Sequence, residues 1–120
     1  MARGDDIEER MVKFAVRIIK LCEQLPKTQA GRHVSDQLLR SGTSPAANYA
    51  EARRAESTRD FVHKLKICLK ELNEAGVWLS IVAQSEMLPK QRLQQIVGEC
   101  TELCKILSAS IRTSLSNSGH

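Results

Sequence analysis

Aromatic residues are scarce in this chain. Phe14, Tyr49, Phe61 and Trp78 make up 3% of it. Sheets favour aromatic and β-branched residues, so a core built mostly of Leu, Ile, Val and Ala argues for packed helices. No apolar run reaches the ~18 residues needed to cross a bilayer. The opening MARGDDIEER has no apolar signal core, so the expectation is a cytoplasmic protein without a membrane partner. The four cysteines, Cys22, Cys68, Cys100 and Cys104, form no CxxC pair. They are expected to be reduced, and their spacing carries no zinc signature, so no metal is expected. A metal site assembled from cysteines of three helices would need bound metal to support it. No GxGxxG, P-loop or HExxH pattern occurs. His33, His63 and His120 have no periodic carboxylate or histidine partner of the kind used by di-iron bundles. The chain is therefore expected to have no catalytic residues and no cofactor.

What is present is amphipathic helix. At 120 residues, with 42% apolar and 27% charged residues, the chain has the size and balance of one globular domain. A first helix is expected over about 5–24, with an acidic start suited to the helix dipole. Ile7, Met11, Phe14, Ile18, Cys22 and Leu25 form its apolar stripe, and Pro26 ends it. A second runs over about 28–54, carrying Val34, Leu38 and Leu39. Pro45 either kinks it or stops and restarts it with Ser44 as cap. The kinked, continuous form is preferred, because no polar loop separates the halves. A third helix, over about 58–85, has Ser57 or Thr58 as N-cap. Its stripe is Phe61, Leu65, Cys68, Leu72, Ala75, Leu79 and Val82, with Ile67, Val77, Trp78 and Ile81 beyond it. So wide a band exceeds what one inward face needs and implies self-association. A fourth helix is expected over about 89–115, opened by Pro89. Its stripe is Leu93, Ile96, Val97, Cys100, Leu103, Cys104, Leu107, Ile111 and Leu115. Short connections make successive helices antiparallel. The predicted fold is an all-α, up-down-up-down four-helix bundle, ~40 Å tall at ~1.5 Å per residue.

Charge supplies the functional reading. The net charge is +4. On helix one, Arg10, Lys13, Arg17 and Lys20 share a face opposite the apolar stripe. On helix three, Arg59, His63, Lys66 and Lys70 do the same, with Arg53 and Arg54 just before it. Two such stripes can track a phosphate backbone, each neutralised phosphate releasing counterions. The plain alternative is a solvated polar face of an amphipathic helix. The acidic residues Glu71, Glu74, Glu99 and Glu102 are expected to lie mainly elsewhere. Few aromatics means few stacking platforms, so base-specific reading is not expected.

The segment RSGTSPAANYAEA, from Arg40 to Ala52, gathers Gly42, Ser44, Ala46, Ala47 and Ala50 around one proline. Small residues at that density let another backbone come very close. Asn48 and Glu51 are expected to bond backbone or each other across a subunit boundary at that contact, because an unpaired buried polar group costs ~1–3 kcal/mol. This segment resembles the signature of the four-helix-bundle family of ribosomal RNA intervening-sequence proteins. Arg40, Ser41, Gly42, Thr43, Ser44, Ala47, Asn48, Tyr49, Ala50 and Glu51 match its first part. Phe61, Leu65, Cys68 and Glu71 or Glu74 match its second. Pro45 stands where the family has a branched aliphatic, and Ala52 where it has glycine. The resemblance implies a homopentamer, which agrees with the surplus face around Trp78. A related branch of that family comprises accessory proteins of diversity-generating retroelements, so the resemblance implies nucleic-acid binding and association with a reverse transcriptase. The expectation is a homo-oligomer that binds RNA or DNA through Arg10, Lys13, Arg17, Lys20, Arg53, Arg54, Arg59, Lys66 and Lys70. The alternative is a scaffold for another protein, such as a polymerase or reverse transcriptase, without direct nucleic-acid binding.

Overall fold

The computed structural model describes residues 3–118. His120 lies outside them. The helices are α1 (Arg3–Cys22), α2 (Gln29–Arg53), α3 (Thr58–Gln84) and α4 (Gln94–Ser118). There is no strand among the described residues. Each helix packs beside the next in sequence and α4 returns to α1, the lightest of the four contacts. With short turns between them the helices alternate in direction, forming an antiparallel bundle with a longest extent of 51 Å.

The caps explain the boundaries. Thr28 is extended and its hydroxyl accepts from the Gly31 amide at 3.0 Å, opening α2. Ser57 does the same for α3 through the Asp60 amide at 3.1 Å. Each satisfies a donor that the first helical turn leaves unpaired. At the end of α3 the Met87 amide reaches back to the Val82 carbonyl and the Glu86 amide to Ala83. This is a Schellman turn, and it places Glu86 at φ 60°, where glycine is usual.

α2 is continuous through Pro45. Proline withdraws one amide from the ladder. Its own carbonyl accepts the Cys68 thiol at 3.0 Å, tying the site to α3. α4 differs from the expected start. Pro89 has φ −61° and ψ 142°, so it precedes a 3-10 turn over Lys90–Arg92 instead of entering the α-helix, which begins at Gln94. The proline ring fixes φ and leaves ψ free, so a favourable φ alone does not start a helix.

The core contains the expected stripes. Met11, Phe14, Ile18, Leu38, Leu65, Leu72, Leu79, Leu103 and Leu107 are sealed from solvent. Two positions differ on α3, where Val62 is buried and Phe61 only partly so. Leu39, Val97 and Leu115, also assigned to stripes, are exposed.

Two glycines set the α1–α2 spacing. A Cβ on Gly31 would lie 2.0 Å from the Pro26 carbonyl oxygen. A Cβ on Gly42 would lie 2.7 and 2.8 Å from Ile18 Cγ1 and Cγ2. What comes close to the small-residue segment at Gly42 is therefore the Ile18 side chain of the chain's own α1, and the turn after α1 comes close to Gly31 at the start of α2.

Candidate nucleic-acid interface

The glycine- and alanine-rich segment is occupied by packing. Arg40 forms ion pairs with Glu71, at 2.8 Å, and with Glu74 on α3. Glu74 also accepts from Trp78 Nε1 at 3.2 Å, and the Trp78 ring meets the His33 ring edge-on at 5.7 Å. Ser41 is buried and bonds the Gln37 carbonyl. Gly42 receives Ile18, and Tyr49 is buried in the core. Glu51 accepts from Lys64 Nζ at 2.9 Å, not from Asn48, because α3 brings a cation to it. Asn48 is half-buried and Ala47 exposed. Ser44 Oγ is buried with no hydrogen-bond partner among the described residues.

The helix-three surplus is smaller than the sequence implies. Ile67 and Trp78 are partly covered, leaving Val77 and Ile81 exposed. The larger exposed apolar row lies on α1, where Val12, Val16 and Ile19 recur at i, i+4 and i+7 and are each over 40% exposed. Leu39 on α2 is exposed too. The contacts Ile18–Gly42 and Cys22–Ser35 place α2 beside this flank of α1, so Leu39 and Ile19 border one seam.

The basic stripes divide into held and unheld cations. Arg10 makes a two-pronged pair with Glu99 of α4 at 2.7 and 3.0 Å, which raises its pKa above the ordinary value. Arg53 is held by Asp5 and by Glu8 at 2.8 Å, and its pKa is raised by those bonds. Arg54 caps α2 by donating to the Ala50 carbonyl at 3.0 Å. Lys13 lies 3.9 Å from Glu9, a loose surface pair. Arg17, Lys20, Arg59, Lys66 and Lys70 have no ion pair among the described residues. Of the acidic residues expected to lie mainly elsewhere, Glu71 and Glu74 hold Arg40 and Glu102 lies 3.8 Å from Lys105, but Glu99 of α4 reaches the α1 stripe and neutralises its first member. Nor does the stripe point directly away from the core, since Arg10, Arg17 and Lys20 lie on the flank towards α4.

The unheld cations gather at two places. Arg59, His63 and Lys66 border an open depression of about 480 Å³ with Thr58, Val62 and Leu115, where α3 begins and α4 ends. Lys70 continues this row one turn on. Arg17 and Lys20 border a second cavity at the other end, together with Arg92 of the 3-10 turn. Sequence reading missed Arg92 because it lies on no helix stripe.

The thiols are packing groups or half-buried. Burial pushes Cys68 up to about 12 and raises Cys22. Cys100 and Cys104, one turn apart, interact directly, so Cys104 is held below the ordinary thiol value and Cys100 above it. No group of three or more potential metal ligands occurs among the described residues. Among the described residues no helix is long and apolar enough to cross a membrane.

A family model described as 23S rRNA-intervening sequence protein matches residues 5–109. No curated protein matches the sequence. A crystal structure of a protein of unknown function from the S23 ribosomal protein family of Bacteroides thetaiotaomicron is similar, with a TM-score of 0.82 and 39% identity. The match covers 88% of this chain and 97% of that one.

Proposed function

The chain belongs to the 23S rRNA-intervening sequence protein family, and from that premise we propose that it is a non-enzymatic, homo-oligomeric bundle that binds RNA or DNA without sequence preference. The observation that carries this reading is the partition of charge. Arg17, Lys20, Arg59, Lys66 and Lys70 stay unpaired, although the chain pairs Arg10, Arg40, Arg53 and Lys64 with carboxylates. Arg17 and Lys20 border one depression and Arg59 and Lys66 another, both on the flanks of α4, and Lys70 lies one turn beyond Lys66. Phosphate contacts from such groups position a strand without reading bases.

The test is fluorescence anisotropy with single-stranded RNA across a salt series, on protein whose mass is fixed by light scattering. Five engaged cations give a log–log slope of about −3.5. Affinity independent of salt, or absent at low salt, refutes the reading. Arg10→Gln and Arg53→Gln should alter that slope less than Arg17→Gln or Lys66→Gln.

A second reading, a scaffold for another protein such as a polymerase or reverse transcriptase, is favoured by one observation. The exposed row Val12, Val16, Ile19 on α1 is an apolar surface of the type that partners cover. A second copy of the chain on that row gives the oligomer, pentameric by the family resemblance. Val16→Glu separates the readings. Dissociation seen by light scattering assigns the row to self-association, and an unchanged mass leaves it to a different protein.

A further inference from the structure

The cavity at the α1–α4 seam has a composition that packing does not explain. α1 contributes Arg17, Lys20 and Gln24, and the 3-10 turn contributes Arg92. Its floor is Leu21, Leu88 and Ile96, all buried. No carboxylate lines it. Lys20 stands in the last turn of α1, where the helix dipole favours a cation. That dipole amounts to about half a negative charge at the helix end. It accounts for one cation and leaves Arg17 and Arg92 without a counter-charge. Cations of one sign around an apolar floor focus the potential into the cleft.

We propose that this cavity is a phosphate-binding site, in which Arg17, Lys20 and Arg92 surround one phosphate group and the Gln24 carboxamide donates a further hydrogen bond. Two guanidinium groups present planar donor forks that match pairs of phosphate oxygens, and the ammonium adds a point charge. The volume is about 190 Å³, below the ~300–1,000 Å³ of pockets that enclose small organic ligands. A phosphate enters it, and a nucleoside attached to that phosphate stays outside. The ligand is therefore inorganic phosphate or the phosphate of a strand lying along the seam. The second source rests on the nucleic-acid reading above, and the first does not.

The experiment is a titration of isotope-labelled protein with inorganic phosphate and, separately, with a short single-stranded RNA, followed by amide NMR. Three proteins are compared: wild type, Arg17→Gln/Arg92→Gln, and Arg59→Gln/Lys66→Gln. All the substituted side chains are exposed, so the variants keep the fold, checked by circular dichroism. Saturable shifts are expected at the Gln24 side-chain amide and at the backbone amides of 88 and 90–93. They should weaken at least about tenfold in Arg17→Gln/Arg92→Gln and persist in Arg59→Gln/Lys66→Gln. If RNA produces the same shifts, the phosphate is that of the strand. If only inorganic phosphate produces them and RNA does not bind, the site stands and the nucleic-acid reading falls. RNA binding through Arg59 and Lys66 with no shift at Gln24 from either ligand overturns the site and keeps the nucleic-acid reading. No shift and no RNA binding overturns both.

Discussion

Replacing Gly42 with alanine should destabilise this protein, although the same change at Gly98 should stabilise it. Both glycines lie inside α-helices, where Gly→Ala gains about 1 kcal/mol of helix propensity. A Cβ at Gly98 meets nothing within 4 Å, so the gain there is unopposed. A Cβ at Gly42 lies 2.7 Å from Ile18 Cγ1 and 2.8 Å from Cγ2. Ile18 is fully buried, and a β-branched side chain in a helix has essentially one χ1 rotamer. It has nowhere to turn, so α1 and α2 must separate. Overpacking of this type costs about 1–3 kcal/mol. The net result at Gly42 is a loss of up to ~2 kcal/mol, against a gain of ~1 kcal/mol at Gly98. Ile18→Ala alone should cost about 2–5 kcal/mol. The pair Gly42→Ala/Ile18→Ala should then cost less than the sum of its parts, since the new methyl occupies space the isoleucine left. Urea unfolding by circular dichroism, at one protein concentration throughout, measures all four variants. A Gly42→Ala midpoint that rises as far as that of Gly98→Ala, or strict additivity with Ile18→Ala, refutes the close approach of α1 and α2.

Three further perturbations test other parts of the fold. Ser44 Oγ is buried without a hydrogen-bond partner among the described residues, so Ser44→Ala should stabilise the chain by about 1 kcal/mol in the same urea assay; a loss would refute the reading that the hydroxyl is unpaired. Glu86→Gly should raise the urea midpoint by the equivalent of about 1 kcal/mol, by relieving a left-handed backbone at the end of α3, and an unchanged midpoint would refute that strain. Cys68 keeps its proton up to about 12 in the folded chain because it is buried, whereas the unperturbed thiol titrates near 9.0. Its contribution is fully present below the unfolded value and is lost as pH rises through the window between the two, by about 1.4 kcal/mol per unit. Wild type should therefore lose more stability than Cys68→Ala between about pH 8 and about pH 10, and equal losses would refute the assignment.

The helices were legible because their apolar residues recur at helical spacing. On α1 every residue assigned to the core is buried. Close approach around Gly42 was legible from its small neighbours, but not the identity of what approaches, since Ile18 belongs to another helix. The 3-10 turn was hidden because Pro89 carries no information about its own ψ. The charge pairing was hidden for a different reason. Arg10 and Glu99 are 89 residues apart, and Arg53 and Asp5 are 48 apart. A stripe read on one helix cannot show that a neighbouring helix neutralises part of it. The apolar row Val12, Val16 and Ile19 was obscured by dividing α1 into only an apolar and a basic face, when the helix has two flanks with different neighbours.

The segment that best identifies the family is for that reason a poor place to seek its function. Arg40 stitches α2 to α3 through Glu71 and Glu74, the Pro45 carbonyl takes the Cys68 thiol, Glu51 takes Lys64, and Gly42 receives Ile18. Both halves of the resemblance, on α2 and on α3, thus meet in shared contacts. A side chain already bonded inside the bundle must break that bond before it can bind anything else, and a buried partner left behind costs ~1–3 kcal/mol. Arg17, Lys20, Arg59, Lys66 and Arg92 carry no such penalty, since no carboxylate holds them among the described residues. All of them lie outside RSGTSPAANYAEA, on surfaces that border α4. The shared segment builds the bundle, and the cations unpaired among the described residues are the ones to which the proposed binding is assigned.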